Sequence, residues 1–166
     1  MPAAVLIPVV DRAEGLGLLL TVRARHLKHH PGQISFPGGR LEAGDPGPEA
    51  AALRETEEEI GLSADRIRVA GFLPNYLTIT GYSVTPVVAF VDPDAELQAD
   101  NTEVAEIFEA PLEYVLDPRN MHRRSKRFMG VKLPYYEIPW GGYNIWGATA
   151  GMLVGLRQAL YPDEDR

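Results

Sequence analysis

Cysteine is absent from all 166 residues, so neither disulfide bridges nor thiol catalysis are open to this chain. No apolar run is long enough to span a bilayer, and the opening MPAAVLIPVVD lacks the basic start of a signal peptide. A cytoplasmic enzyme is the expectation. Positive charge is also scarce. Sixteen Lys and Arg face 23 Asp and Glu, leaving a net charge of −7 and a pI near 5.1. That balance argues against a general nucleic-acid or membrane-surface binder and predicts neither as a partner. It leaves room for a small anionic substrate held by a few local cations and bound metal. There is no internal repeat and no linker. With 45% hydrophobic and 23% charged residues, the composition is that of an ordinary globular protein, and residues 1–166 are expected to form a single domain. Nothing in the sequence speaks to oligomeric state.

The most informative stretch is 36–62, FPGGRLEAGDPGPEAAALRETEEEIGL. A glycine turn at Gly38-Gly39 leads through a Pro/Gly loop into a predicted helix over 48–60. Its alanines favour helix, Pro46 and Pro48 sit where a helix can start, and Gly61 is placed to end it. At about 100° per residue, Glu55, Glu58 and Glu59 share one stripe, with Glu57 turned away and Leu53, Thr56 and Ile60 free to face a core. Like charges on one stripe destabilise a helix, yet carboxylates grouped this way are hard oxygen ligands suited to Mg²⁺ or Mn²⁺. A solvated acidic face would account for the glutamates alone. The glycine turn upstream, Arg54 at i,i+4 from Glu58, and Gly61 on cue point instead to a metal site.

Just before this stretch, residues 19–39 read LLTVRARHLKHHPGQISFPGG. Arg23, Arg25, His26, Lys28, His29 and His30 form a local basic cluster in an acidic protein. A solubilising loop is the plain reading of such a cluster by itself.

The remaining chain alternates strands and turns. Residues 3–10 and 17–24 read as antiparallel strands. Further strands are expected at 66–73, 82–91 and 103–110, with Pro86 suggesting an edge position or a bulge. Residues 74–81 and 92–102 read as loops and 111–116 as a short helix. Residues 121–128 and 131–138 look like a hairpin turning at Met129-Gly130, its first arm carrying Arg123, Arg124, Lys126 and Arg127. A closing helix is expected over 144–161, with Trp146, Met152, Leu153 and Leu156 on one face, and the tail 162–166 is expected to fray. Periodicity alone stops at α+β.

The acidic helix and its glycine turn resemble the Nudix box, G-x5-E-x7-R-E-U-x-E-E-x-G-U, in which U is a bulky aliphatic. The match runs through Gly39, Arg54-Glu55, Glu58-Glu59 and Gly61-Leu62. Three positions depart from it: Asp45 stands where the box has Glu, eight residues rather than seven precede Arg54, and Thr56 takes the first aliphatic position. The basic segment is similar to the signature that precedes the box in Nudix coenzyme A pyrophosphatases, L-L-T-x-R-[S/A]-x3-R-x3-G-x3-F-P-G-G. It aligns through Leu19, Leu20, Thr21, Arg23, Ala24, Lys28, Gly32, Phe36, Pro37, Gly38 and Gly39, with Lys28 in place of Arg. That swap keeps charge and loses a planar two-pronged donor.

The resemblance implies an α/β/α sandwich with a mixed sheet between helices. It implies metal-dependent hydrolysis of the pyrophosphate bond of coenzyme A, or of its acyl or oxidised derivatives, to adenosine 3′,5′-bisphosphate and 4′-phosphopantetheine or its acyl form. Under it, Glu55 and Glu59 are the principal ligands of Mg²⁺ or Mn²⁺, Glu58 shares metals or acts behind them, and the Gly39 carbonyl adds a ligand. Arg54 holds a glutamate in place. Arg23, Arg25, Lys28, Gly32, Phe36 and Gly38 belong to substrate binding, and the hairpin cations are further phosphate partners. Tyr135, Tyr136 and Phe72 are either adenine contacts or core. Glu103 is either the general base or a solvated loop residue. Two other functions stay open: a broader Nudix hydrolase of ADP-ribose, dinucleotides or nucleoside triphosphates, and a non-catalytic nucleotide-sensing domain. The intact Arg54, Glu55, Glu58 and Glu59 argue against the sensor.

Overall fold

The computed structural model describes residues 1–164. Its main sheet is laid around β1 (Pro2–Arg12). One edge of β1 is shared by two antiparallel neighbours: β2 (Gly15–Arg23) pairs with Val9 to Arg12, and β4 (Gly38–Arg40) with Ala3 to Val5. Between them the Leu6 amide donates to the Pro37 carbonyl at 2.8 Å. The other edge pairs in parallel with β7 (Ser83–Val91), which makes the sheet mixed. β3 (Ile34–Ser35) and β8 (Val104–Pro111) flank β2, while β5 (Ile67–Phe72) and the two-residue β6 (Tyr76–Leu77) flank β7.

Because β1 is central, both faces of its period-two pattern are apolar. Ala4, Leu6 and Val10 face α1 (Pro48–Ile60) and meet Ala51, Ala52 and Ile60; Ala51 and Ala52 let the helix lie close to the sheet. Ala3, Ile7 and Val9 face the other way, into a core with α2 (Leu112–Leu116) and α3 (Ala148–Leu160), including Val115, Met152, Leu153 and Leu156. The result is the α/β/α arrangement expected. None of the described helices is long and apolar enough to cross a membrane.

Two local expectations fail. Pro86 lies neither at an edge nor in a bulge of its own strand, since β7 is flanked by β1 and β5. Proline offers no amide there, but the Pro86 carbonyl still accepts from the Leu73 amide just past the end of β5, before β6 begins pairing near Tyr76. The closing helix starts only at Ala148. Residues Tyr143–Trp146 form β11, antiparallel to β10 (Val131–Trp140), so Trp146 is a strand residue. Gly147, at φ 67°, makes the break that a side chain would resist. Of the tail expected to fray, 162–164 are exposed, with Glu164 paired to Arg157 at 2.9 Å, and the last two residues lie outside the described residues. β11, β10 and β9 (His122–Phe128) form a second, three-stranded antiparallel sheet that periodicity did not announce. Its hairpin turns at Met129 and Gly130 with φ 49° and 78°, as the sequence predicts.

Candidate active site

Gly38 and Gly39 do not form the turn expected of them. They belong to β4; at Gly38 the neighbouring backbone leaves no room for a side chain, and at Gly39 a side chain would displace the Glu55 carboxylate. A Cβ on Gly38 would collide with the Ala4 carbonyl oxygen and the Val5 main chain, and one on Gly39 would collide with Glu55 Oε1. The main chain of Gly39 therefore lies directly against the Glu55 carboxylate. This contact unites the glycine-rich strand with the acidic helix.

Helix α1 has the expected bounds, with Pro48 in its first turn and Gly61 left-handed at its end, φ 69°, donating to the Glu57 carbonyl. Thr56, at an aliphatic position of the box, is fully buried and satisfies its hydroxyl on the Ala52 carbonyl at 2.7 Å. Glu57 faces solvent, as the helical wheel predicts.

Arg54 does more than face Glu58. Its Nε and Nη2 grip Asp45 in a two-pronged pair at 3.0 and 2.8 Å, Nη2 also reaches the Arg40 carbonyl at 3.2 Å, and Nη1 donates to Glu55 Oε1 at 3.0 Å. The expected i,i+4 contact with Glu58 is longer, at 3.5 Å, to a carboxylate more than half exposed. The shortened acid and lengthened loop of the box thus act together: Asp45 reaches the guanidinium and holds it on Glu55. Hydrogen bonds from Arg54 and the Glu42 amide bring Asp45 down to about 2. Arg54 was expected to orient a glutamate. The partner that orients Arg54 is found only in three dimensions, although Asp45 already occupied the first acidic position of the motif.

Glu59 overturns the idea of a water-facing acidic stripe. It is only 7% exposed, and its carboxyl is pushed up to about 8. Burial is the main cause, followed by the charges of Glu55 and Glu103; the Gly38 amide and the charge of Arg23 pull the other way. Glu55 is also raised, chiefly by burial, which outweighs the hydrogen bond from Arg54, with Glu58 and Glu103 adding to the rise. The site thus gathers negative charge with too little compensation, which suits a divalent cation. No three acidic or imidazole side chains among the described residues converge into a closed metal cage. Mg²⁺ does not require one, since it keeps several waters and takes one or two carboxylates plus phosphate oxygens. The donor set therefore fits a hard cation of that kind.

Glu103 stands just before β8 on an exposed loop, close enough for its charge to act on both Glu55 and Glu59. The basic segment also returns to this point. The Arg23 amide donates to the Gln33 carbonyl at 2.9 Å, and the Gly32 amide to the Arg23 carbonyl at 3.0 Å. Gly32, at φ 71°, makes that closure possible. The loop 24–32 is pinched at its neck, with Arg25 and Lys28 exposed on it and Arg23 at its base near Glu59. Phe36 is corrected: at 3% exposure it is a core residue beside Ile34, out of reach of substrate. Of the three aromatics, Tyr136 packs on the core, Tyr135 lies edge-on to Trp146, and Phe72 is exposed. Arg40, one residue after Gly39, is a cation that motif reading passes over. It donates to the Tyr82 hydroxyl at 2.8 Å and lies over that ring.

These features agree with the comparisons. The model of the NUDIX domain matches residues 1–129. The uncharacterized Nudix hydrolase NudL of Escherichia coli K12 is 44% identical over 159 residues, 93% of this chain and 80% of that protein. Among solved structures, RenU, a Nudix hydrolase from M. smegmatis, superposes with a TM-score of 0.61 at 26% identity over 70% of this chain and 73% of that one. An Ap4A hydrolase from C. elegans shares the fold at a TM-score of 0.58 and 21% identity, over 67% and 80% of the two chains. The chain belongs to the Nudix family. It is accordingly a hydrolase of diphosphate linkages in small nucleotide-type substrates, in a family that generally uses divalent metals such as Mg²⁺ or Mn²⁺.

Proposed function

We propose that this chain hydrolyses coenzyme A, or its acyl or oxidised derivatives, at the pyrophosphate. Water adds across the P–O–P bridge, one oxygen bridge breaks, and two phosphate monoesters leave: adenosine 3′,5′-bisphosphate and 4′-phosphopantetheine or its acyl form. The observation that carries this reading is the pinched basic loop 24–32, whose neck at Arg23 and Gly32 opens beside the carboxylates. Diphosphate hydrolysis alone does not require such a loop. A substrate with anionic groups beyond the pyrophosphate gives Arg23, Arg25 and Lys28 something to bind. Gly32 serves the neck and Gly38 the close packing against Ala4 and Val5.

Glu55 and Glu59 are the side chains proposed to hold Mg²⁺ or Mn²⁺, with Glu58 and the main chain of Gly39 beside them. Such an ion supplies charge neutralisation at phosphorus and at the departing phosphate. Arg54, itself held by Asp45, fixes the Glu55 carboxylate. Glu103 is proposed to take the proton from the attacking water, because its carboxylate makes no hydrogen bond or ion pair among the described residues and stays free to accept one.

The test compares kcat/KM for coenzyme A, 3′-dephospho-coenzyme A and ADP-ribose in wild type, Lys28→Ala and Arg23→Ala. Losing a charge-assisted hydrogen bond costs about 1.5–3 kcal/mol, or roughly one to two decades in kcat/KM. The expected outcome is a loss selective for coenzyme A. The dephospho compound reports whether the 3′-phosphate is the group sensed. A uniform loss, or a wild type that prefers ADP-ribose, leaves Nudix chemistry intact and removes coenzyme A as the substrate.

A further inference from the structure

The loop 98–103, between β7 and β8, is fastened to both halves of the candidate site. At one end it caps α1: the Gln98 and Asp100 amides donate to the Ile60 and Glu59 carbonyls at 2.9 and 2.8 Å. Those last-turn carbonyls have no partner within the helix. Asp100 then folds the loop on itself. Its Oδ1 accepts from the Thr102 amide at 3.0 Å and from the Thr102 hydroxyl at 2.8 Å. Its carbonyl accepts from the amides of Glu103 and Val104 at 3.0 and 2.8 Å. The two Thr102 donors also hold the Asp100 carboxyl below its usual range. At the other end, the loop is tied to the basic segment. The Ala24 amide donates to the Glu103 carbonyl at 2.9 Å, and His26 Nε2 lies 2.9 Å from the Thr102 carbonyl. A carbonyl oxygen only accepts, so the hydrogen bond assigns a proton to Nε2 of His26.

Glu103 is therefore the reverse of its neighbours. Its main chain is bonded on both sides, while its carboxylate has no hydrogen-bond partner among the described residues. We propose that Asp100 and His26 are positioning residues: together they lock the 100–103 turn between α1 and the basic segment, and so fix Glu103 beside Glu55 and Glu59. The inference rests on the reading of Glu103 as the proton acceptor. It adds that the acceptor's place is set by two other side chains, acting through the backbone of the turn. A rigid cradle matters because a displacement of about 1 Å can cost roughly a hundredfold in rate.

The experiment is a mutant cycle with a structural readout. Asp100→Ala and His26→Leu are each expected to lower kcat by about tenfold to a hundredfold with little change in KM. Asp100→Asn keeps the Oδ1 acceptor and is expected to restore most of the rate, which a role for the charge would not allow. In a Glu103→Gln background, Asp100→Ala is expected to cost little more, since there is no longer an acceptor to position. Hydrogen exchange on the metal-free protein reads the cradle directly: the amides of Ala24 and Val104 are expected to lose protection in Asp100→Ala and to regain it in Asp100→Asn. Rates are measured on coenzyme A and on ADP-ribose, and the cycle is scored on whichever is turned over faster, so losing the coenzyme A assignment does not touch it. A Glu103→Gln enzyme with normal kcat defeats the acceptor reading and this inference with it. An impaired Glu103→Gln with a fully active Asp100→Ala defeats the inference alone. So does strict additivity in the cycle, or an Asn variant as slow as the Ala variant.

Discussion

Helix α1 and the β9–β10 hairpin each carry a run of like charges, and the two runs are held in opposite ways. On α1 two of the glutamates turn inward: Glu59 is buried, Glu55 is half-buried against Gly39, and one guanidinium serves Glu55 from the side. On the hairpin, every residue of β9 is exposed, and Arg123, Lys126, Arg127 and Lys132 make no ion pair among the described residues; only Arg124 meets an acid, Glu137, at 3.3 Å. Charges in water repel weakly and cost little. Charges pressed into a low-dielectric wall are costly unless a counter-ion arrives. A free edge such as β9 also has a plain use for cations, since they discourage another strand from pairing with it. The contrast separates a cluster that stores unfavourable electrostatics from one whose charges stand in solvent at little cost.

The largest effect belongs to Glu59. Glu59→Gln is expected to lower turnover by orders of magnitude. It is also expected to stabilise the metal-free protein at pH 8. In the unfolded chain this carboxyl ionises near 4.5, whereas in the folded chain it keeps its proton until about 8. Between those values the unfolded state binds fewer protons, so stability falls as pH rises through the window. The full shift is worth on the order of a few kcal/mol. Melting curves in chelator at pH 5 and pH 8 check the sign: the wild type should lose stability with pH and the Gln variant should lose less. Added Mg²⁺ should then raise the melting temperature of wild type more than that of the variant. Equal slopes in the two proteins would mean that Glu59 is not the buried, uncompensated carboxylate described.

The limits of α1 were legible because proline and glycine act locally: Pro48 and Gly61 mark its ends whatever surrounds them. The helical wheel grouped Glu55, Glu58 and Glu59 correctly, but a wheel gives only angles. It cannot say that β4 and the loop 98–103 close over Glu59 and leave Glu58 in water. Asp45 escaped for a related reason. Its role depends on the path of a Pro/Gly loop, and no periodicity records that path. At the C-terminal end the signal was present and misread. Residues Tyr143–Trp146 can be placed on an apolar helical face or in a strand, and Gly147 decides between them only once its left-handed backbone is known.

The intermediate effect is that of Asp45. If it holds Arg54 on Glu55, Asp45→Ala should lower kcat by roughly tenfold to a hundredfold, with Asp45→Asn falling between that and wild type because one acceptor survives. The pH dependence runs opposite to that of Glu59. Asp45 ionises at about 2 rather than 3.8 when folded, so its stabilising contribution is present above pH 3.8 and is lost as pH falls through 2. Acid melts of wild type and Asp45→Asn should therefore converge towards pH 2. An Asp45→Ala enzyme with an unchanged kcat would return the Arg54–Glu55 contact to mere surface pairing.

The smallest effect is expected at the hairpin, and it tests the contrast most sharply. Replacing Arg123, Lys126 and Arg127 together by serine removes three positive charges from β9 and touches none of the core. Stability should stay within about 0.5 kcal/mol of wild type, as for other exposed substitutions. Affinity for Mg²⁺, read by calorimetry, should not change. What should change is association: the bare edge and the exposed Phe128, Met129 and Val131 beside it ought to favour strand-to-strand pairing, seen as concentration-dependent mass in sedimentation. The contrary outcome is also concrete. Arg123, Arg124, Lys132 and Tyr135 line a shallow groove of about 680 Å³. If kcat/KM on coenzyme A drops tenfold or more in the triple variant while ADP-ribose is unaffected, that groove receives part of the larger substrate. The basic hairpin would then belong with α1 in the active site, and exposure would no longer separate the two clusters.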